Sequence, residues 1–284
     1  MKKRGFALLA LTFAVITVNR AQAQYYLQDI YNTQKTVANM QVLKANNVAS
    51  QTVQSLDASL NRDADFMCVR TITGNFRNMR SVTKSRATGL SILTSTFGPK
   101  GLLNKIVDST ESSINTTLYR YVNETLVGIE TQSQDRDEKF KMTETRNYQY
   151  DSSLRPVQMV RRKNKSADST LVLFKLDTAG RVTEELETGK YIRGQRFYYN
   201  YDAQGRLTDV LRYQPSKKRM LPDYIFEYDA QGRLKQMTTI NATTSDYTVW
   251  KYTYDAKGLP QKEECYAKGN ELLGMISYRY EYAK

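Results

Sequence analysis

The chain has 284 residues, 42 lysines and arginines against 29 acids, 21 tyrosines, two cysteines and no histidine. The missing histidine excludes a Ser-His-Asp or Cys-His hydrolase and any metal centre that needs an imidazole ligand. Mean hydropathy is -0.61, and past the N-terminus no apolar run approaches the roughly 20 residues of a membrane-crossing helix, so a transmembrane helix in the mature chain is excluded.

Residues 1–23 read as a signal peptide. Lys2, Lys3 and Arg4 precede the apolar run Phe6 to Val18, and Ala21-Gln22-Ala23 is the small-x-small pattern that signal peptidase cuts. Cleavage after Ala23 removes four positive charges and takes the formal net charge from +13 to +9. The expected location is periplasmic, secreted or at the cell surface, an address that argues against nucleic acid as a partner.

Between residues 25 and 61, Leu27, Ile30, Val37, Met40, Leu43, Val48, Val53, Leu56 and Leu60 recur at spacings nearer three and four than two. That spacing predicts a long amphipathic helix, broken near Asn46-Asn47. A second helix is expected over 101–121, with Leu103, Ile106, Val107, Ile114 and Leu118 along one side, while residues 62–100 divide between short strands and loop. Residues 24–120 therefore read as a helical N-terminal segment that packs on, or leads into, the C-terminal half of the chain.

That C-terminal half is a repeat. Five copies of one phrase read Tyr148-Gln-Tyr150-Asp151, Phe174-Lys-Leu176-Asp177, Tyr199-Asn-Tyr201-Asp202, Phe226-Glu-Tyr228-Asp229 and Tyr252-Thr-Tyr254-Asp255, their aspartates 26, 25, 27 and 26 residues apart. A fixed period of this size marks an array of one supersecondary unit. Large apolar side chains at alternate positions form a stripe on one face of a strand. The turn after the stripe uses Asp177, Asp202, Asp229 and Asp255 to bind their own backbone, and Gly180, Gly205, Gly232 and Gly258 to supply a positive φ. The fold class expected is mainly β: an antiparallel meander of such β-hairpins, about ten to twelve strands over 121–284, with Tyr278-Arg-Tyr280-Glu-Tyr282 as closing strand. Pro156 and Pro260 mark the outer copies as ends of the array, where open strand edges invite self-association.

The phrases Tyr199-Asn-Tyr-Asp-Ala-Gln-Gly-Arg-Leu207 and Phe226-Glu-Tyr-Asp-Ala-Gln-Gly-Arg-Leu234 resemble the YD repeat of Rhs and wall-associated bacterial proteins and of teneurins. The resemblance covers about half of the mature chain. It implies a β-rich scaffold of adhesive or carbohydrate-binding type, here in a short exported form without a toxin domain.

Candidate contact residues are Tyr198, Arg206 and Arg233 on the polar side of the hairpins, and the basic pairs Arg161-Arg162 and Lys217-Lys218 between strands. These suit an acidic glycan or an envelope protein; the plainer reading is a set of solvated loops that protect sheet edges. The repeated aspartates are assigned to turns rather than to calcium, and no metal or cofactor is expected. Glu184-Glu185, Glu187 and Glu263-Glu264 offer carboxylates for an alternative, glycoside hydrolysis. A second alternative is an outer-membrane β-barrel component, suggested by the alternating aromatics and opposed by charges on the polar face of nearly every strand. Cys68 and Cys265 either pair as a disulfide between the N-terminal segment and the last repeat or stay as two separate thiols. The function expected is a non-enzymatic binding or scaffold protein of the bacterial envelope, with no integral membrane span.

Overall fold

The computed structural model describes residues 25–164, 166–190, 192–241 and 244–283, so the expected signal peptide lies outside the described residues. The α-helix α1 (Leu27–Ala45) leads into β1 (Val48–Asp57), β2 (Met67–Ile72), β3 (Asn78–Ser85), β4 (Gly89–Phe97), β5 (Leu103–Thr110) and β6 (Ser113–Val122). Then come β7 (Thr125–Asp135), β8 (Lys141–Tyr150), β9 (Pro156–Lys163), β10 (Ser169–Leu176), β11 (Val182–Gly189) and β12 (Ile192–Tyr201). The last six are β13 (Leu207–Gln214), β14 (Arg219–Tyr228), β15 (Leu234–Asn241), β16 (Asp246–Tyr254), β17 (Pro260–Ala267) and β18 (Glu271–Tyr282).

Every strand pairs antiparallel with the next, and β1 pairs with both β2 and β18, so the 18-stranded sheet closes into an up-and-down barrel. The seam aligns Thr52 with Arg279 and Val53 with Tyr278. Closure corrects three expectations. The sheet is no open meander with capping copies at its ends. Self-association through free edges loses its basis, because a closed ring satisfies the backbone groups that an edge would expose. The exclusion of an integral membrane span is overturned as well. Among the described residues no helix is long and apolar enough to cross a membrane. A closed barrel, however, can cross with strands, since its wall satisfies its own backbone hydrogen bonds.

The helical segment expected over 24–120 is confined to Leu27–Ala45; residues 101–121 form β5 and β6 instead. The misreading has a physical cause. Both faces of this wall carry apolar side chains: the register sets Val69, Val82 and Ile92 side by side in one row, while Ile72, Phe97 and Leu103 of the same region are buried against α1. Adjacent apolar residues such as Ile106-Val107 then mimic a helical spacing.

The tyrosine stripes face inward. Tyr148, Phe174, Phe197, Tyr199 and Val210 form one buried cluster with Tyr25, Tyr26 and Leu27 at the start of the helix. Near its end, Met40 and Leu43 pack with Val48, Ile72, Phe97, Leu103 and Leu259. These two seats lie on walls about half the ring apart, as β11 and β1 are separated by β12 to β18. Nineteen residues give a helix of about 28 Å, enough to bridge the lumen. The outer face is mixed; one row reads Glu227, Gln236, Lys251, Glu264 and Met275, another Asp209, Ile225, Thr238 and Val249.

Candidate functional site: the plugged lumen

Turns of one kind recur along one end of the barrel. In each, the Asp Oδ1 accepts backbone N–H groups two and four residues on, as from Gln231 and Arg233 to Asp229 at 3.0 and 2.8 Å. Oδ2 accepts the Arg Nε, at 2.7 Å for both Asp202–Arg206 and Asp229–Arg233. The guanidinium then lies over a tyrosine of the following copy: Arg181 over Tyr201 at 5.1 Å, Arg206 over Tyr228 at 4.7 Å and Arg233 over Tyr254 at 4.6 Å. That tyrosine donates its hydroxyl to the backbone of the preceding copy, Tyr228 to Leu207 O at 2.7 Å and Tyr254 to Leu234 O at 2.9 Å. These three hairpins are thus each clasped to the next. The Arg181 backbone N–H bonded to Asp177, and the Arg155 side chain bonded to Asp151, hold those two carboxyls below the usual range.

The same clasp continues upstream without its aspartate. Gly98 and Gly101 make the turn hydrogen bonds, and Tyr121 and Tyr150 donate to Leu103 O and Leu126 O at 2.9 and 2.5 Å. Phe97-Gly-Pro-Lys-Gly101-Leu-Leu103 has the spacing of Tyr201-Asp-Ala-Gln-Gly205-Arg-Leu207, a signal that sequence reading passed over because glycine replaces the aspartate.

Helix α1 enters the lumen with unsatisfied N–H groups and no side-chain cap of its own. The wall supplies one. Glu185, fully buried on β11, accepts from the Tyr26 N–H at 2.8 Å and the Leu27 N–H at 2.9 Å, and from the Tyr199 hydroxyl at 2.8 Å. A carboxylate there also faces the positive end of the helix dipole. The Tyr26 ring lies 5.7 and 5.4 Å from the guanidinium carbons of Arg146 and Arg161, and its hydroxyl donates to Glu187 at 3.0 Å. Burial pushes the Tyr25 and Tyr26 phenols well above their ordinary value, so both stay neutral donors. One turn on, Asp29 receives Arg146 at 2.9 and 2.8 Å and the Tyr148 hydroxyl at 2.6 Å. Tyr25 packs 5.9 Å from Phe197 and 5.8 Å from Tyr224.

At the other seat, Leu259 stands where the four other copies carry arginine, and it is fully buried against the helix. The departure from the repeat makes a landing for Met40 and Leu43 rather than an array end. Asn46 adds a bond to Lys257 O at 3.3 Å. Between helix and wall lies a cavity of about 90 Å³, bordered by Thr36, Asn39, Met40, Gln51, Arg70 and Glu263 among others.

The sequence candidates scatter. Arg206 and Arg233 serve the turns, and Tyr198 lies half-buried on the outer face beside Leu211 and Glu184. Arg162 and Lys218 are exposed, and Lys217 donates to Ser245 at 2.6 Å. Arg161 is no surface contact: on β9 it turns inward to Tyr26, to Thr170 at 3.1 Å and towards Glu187 at 3.6 Å. Glu184-Glu185 and Glu263-Glu264 do not form carboxylate pairs, because neighbours on a strand face opposite sides. Glu184 meets Arg196 and Glu264 meets Lys262 on the outer face, whereas Glu185 and Glu187 hold the plug. Both thiols are free and buried. Cys68 on β2 and Cys265 on β17 have β18 and β1 between them, about 14 Å at the usual strand spacing, beyond disulfide reach. Among the described residues no group of three or more acidic or cysteine side chains forms a metal site. What sequence reasoning missed is the plug seat: Glu185, Glu187, Arg146 and Tyr148 come together only through the ring.

No family model matches the chain, and no curated protein does. Among solved structures it is similar to a porin-like protein from Bacteroides uniformis, at 10% identity over 82% of this chain and 98% of that one, with a TM-score of 0.39. A porin-like protein from Bacteroides vulgatus gives 12% identity over 83% and 98%, with a TM-score of 0.22. A chain of the Photorhabdus luminescens Tc holotoxin pore gives 12% identity over 76% of this chain but 16% of that one, with a TM-score of 0.24. Likenesses with such TM-scores carry no argument about function.

Proposed function

We propose that this protein is a plugged, non-enzymatic β-barrel of the bacterial outer envelope, exported by its N-terminal signal and associated with the outer membrane. The observation that carries this reading is the closed ring with the helix seated across its lumen. The turn-and-clasp unit, which resembles the YD repeat, supports a rigid wall built by repetition. Glu185, Glu187 and Arg146, the charged groups nearest to a catalytic set, are occupied by the plug, which supports a role in binding or gating rather than turnover.

A specific observation favours a second reading, an envelope scaffold that binds a polar partner on its outer wall. The rows through Glu227, Lys251, Glu264 and Lys262 bear charge in the body of the strands. A lipid-facing lysine or arginine at mid-bilayer costs about 2–4 kcal/mol. The test is fractionation of a Gram-negative host expressing the full chain. The first reading expects the mature protein in the outer-membrane pellet, released by detergent and resistant to alkaline carbonate. Recovery from osmotic-shock fluid without detergent would overturn it in favour of the scaffold.

A further inference from the structure

The cavity between α1 and the wall holds an unexplained group. Glu263 on β17 is 6% exposed, and its Oε1 accepts the Tyr278 hydroxyl at 2.5 Å. Its Oε2 is buried with no hydrogen-bond partner among the described residues, and Glu263 lines the cavity. A buried carboxylate oxygen left without a donor is costly, by about 1–3 kcal/mol or more for a charged group. Lys35 of the helix and Arg70 of β2 both attract Glu263 electrostatically, and neither makes a hydrogen bond to Oε2. The wall therefore presents an acceptor that no donor among the described residues satisfies.

The surroundings define that donor. A hard metal ion needs six or more oxygen ligands, and one carboxylate with amide and hydroxyl neighbours is too few. A cavity of about 90 Å³ is several times the roughly 10–15 Å³ that one water occupies on the same measure, so there is room for a small organic molecule. Met40, Leu43, Met79, Leu259 and Pro260 give it an apolar side, and Thr36, Asn39, Gln51 and Arg70 a polar one, the Arg70 guanidinium held by Gln51 at 2.6 Å. We propose that this cavity binds a small organic ammonium ion. Its N–H group donates to Glu263 Oε2, and its short aliphatic body lies against Met40, Leu43 and Leu259. The site goes beyond the plugged-barrel reading and stands whichever solvent the outer wall meets.

An ammonium of this kind comes from a plain alkylamine or from an amino acid, and the two are separable. The mature protein is titrated by calorimetry with n-butylamine and, in parallel, with leucine, each at neutral pH and fixed ionic strength. Saturable binding of either supports the site: preference for leucine identifies a carboxylate-bearing ligand, preference for butylamine an amine. Glu263→Gln keeps the shape and removes the charge, so it should weaken binding at least tenfold, with the circular dichroism spectrum retained. Lys35→Gln, at a water-accessible helix position, removes a competing ammonium and should tighten binding severalfold. Equal binding by Glu263→Gln and the unaltered protein, weaker binding by Lys35→Gln, or no heat from either ligand at tens of millimolar would overturn the proposal.

Discussion

Replacing Tyr26 by alanine tests the seat that holds the plug. The residue is 1% exposed, its ring lies between two arginines, and its hydroxyl reaches Glu187. Truncating a buried aromatic costs about 3–5 kcal/mol, and here the cavity would open among charged groups that cannot collapse into it. If that cost falls on docking, the undocked population of α1 rises by roughly two to three and a half orders of magnitude. Tyr26→Phe removes only the hydroxyl bond to a carboxylate that keeps Arg161 beside it, so about 1.5–3 kcal/mol is the ceiling. Native-state hydrogen exchange reads both. Amides of Leu27–Ala45 should lose protection in the order Ala, Phe, unaltered, while ladder amides of β15 and β16, which contribute nothing to the Tyr26 cluster, change far less. Unchanged helix protection in Tyr26→Ala would refute the seat, and so would an equal loss in every strand.

Asp229→Ala removes the acceptor for two backbone N–H groups and for Arg233; thermal melting should show a loss of about 1–3 kcal/mol, and no change would mean that the turn adds nothing to stability. Acid should act through the same turns. The Asp151 and Asp177 carboxyls are held below their unfolded value, so their stabilisation is complete above about pH 4 and is lost as the pH falls through the lower folded value. Urea midpoints of Asp177→Asn should accordingly depend less on pH between about 2 and 4 than those of the unaltered protein. Gly205→Ala places a Cβ at a φ of 78°, and equilibrium unfolding should register about 1–2 kcal/mol. With both thiols free, dithiothreitol should leave the melting temperature unchanged, and thiol reagents should label Cys68 and Cys265 only on unfolding.

Much of the wall could be read from residues 148–282 because its period is written twice, once in alternating aromatics and once in Asp-x-x-Gly. Both signals are local, and local geometry fixes both. The upstream copies escaped because their chemistry or their spacing changed: Gly98 replaces the aspartate at unchanged spacing, and Asn123 and Glu124, both at positive φ, make a shorter, two-residue turn between β6 and β7. Closure was not readable at all, since the pairing of β1 with β18 joins residues more than 200 positions apart and leaves no periodic trace. The plug was half readable. The spacing of Leu27, Met40 and Leu43 gave the helix, but nothing local tells that Glu185 caps it or that Leu259, an apparent defect in the repeat, is its landing. Arg161 shows the reverse error. In a basic cluster it reads as a surface charge, and only the strand register turns it inward to Tyr26.

Everything rests on the closed ring, and one disulfide tests it. Thr52 and Arg279 are direct partners across the β1–β18 seam, at a Cα separation of about 4.5–5.5 Å for such a pair, within disulfide range. In the mature protein carrying Thr52→Cys and Arg279→Cys, mild oxidation should give a monomer that migrates faster on a non-reducing gel, with the shift reversed by reductant. Disulfide-linked dimers alone, or no cross-link in the folded protein, would mean that the first and last strands do not meet and that the barrel is open.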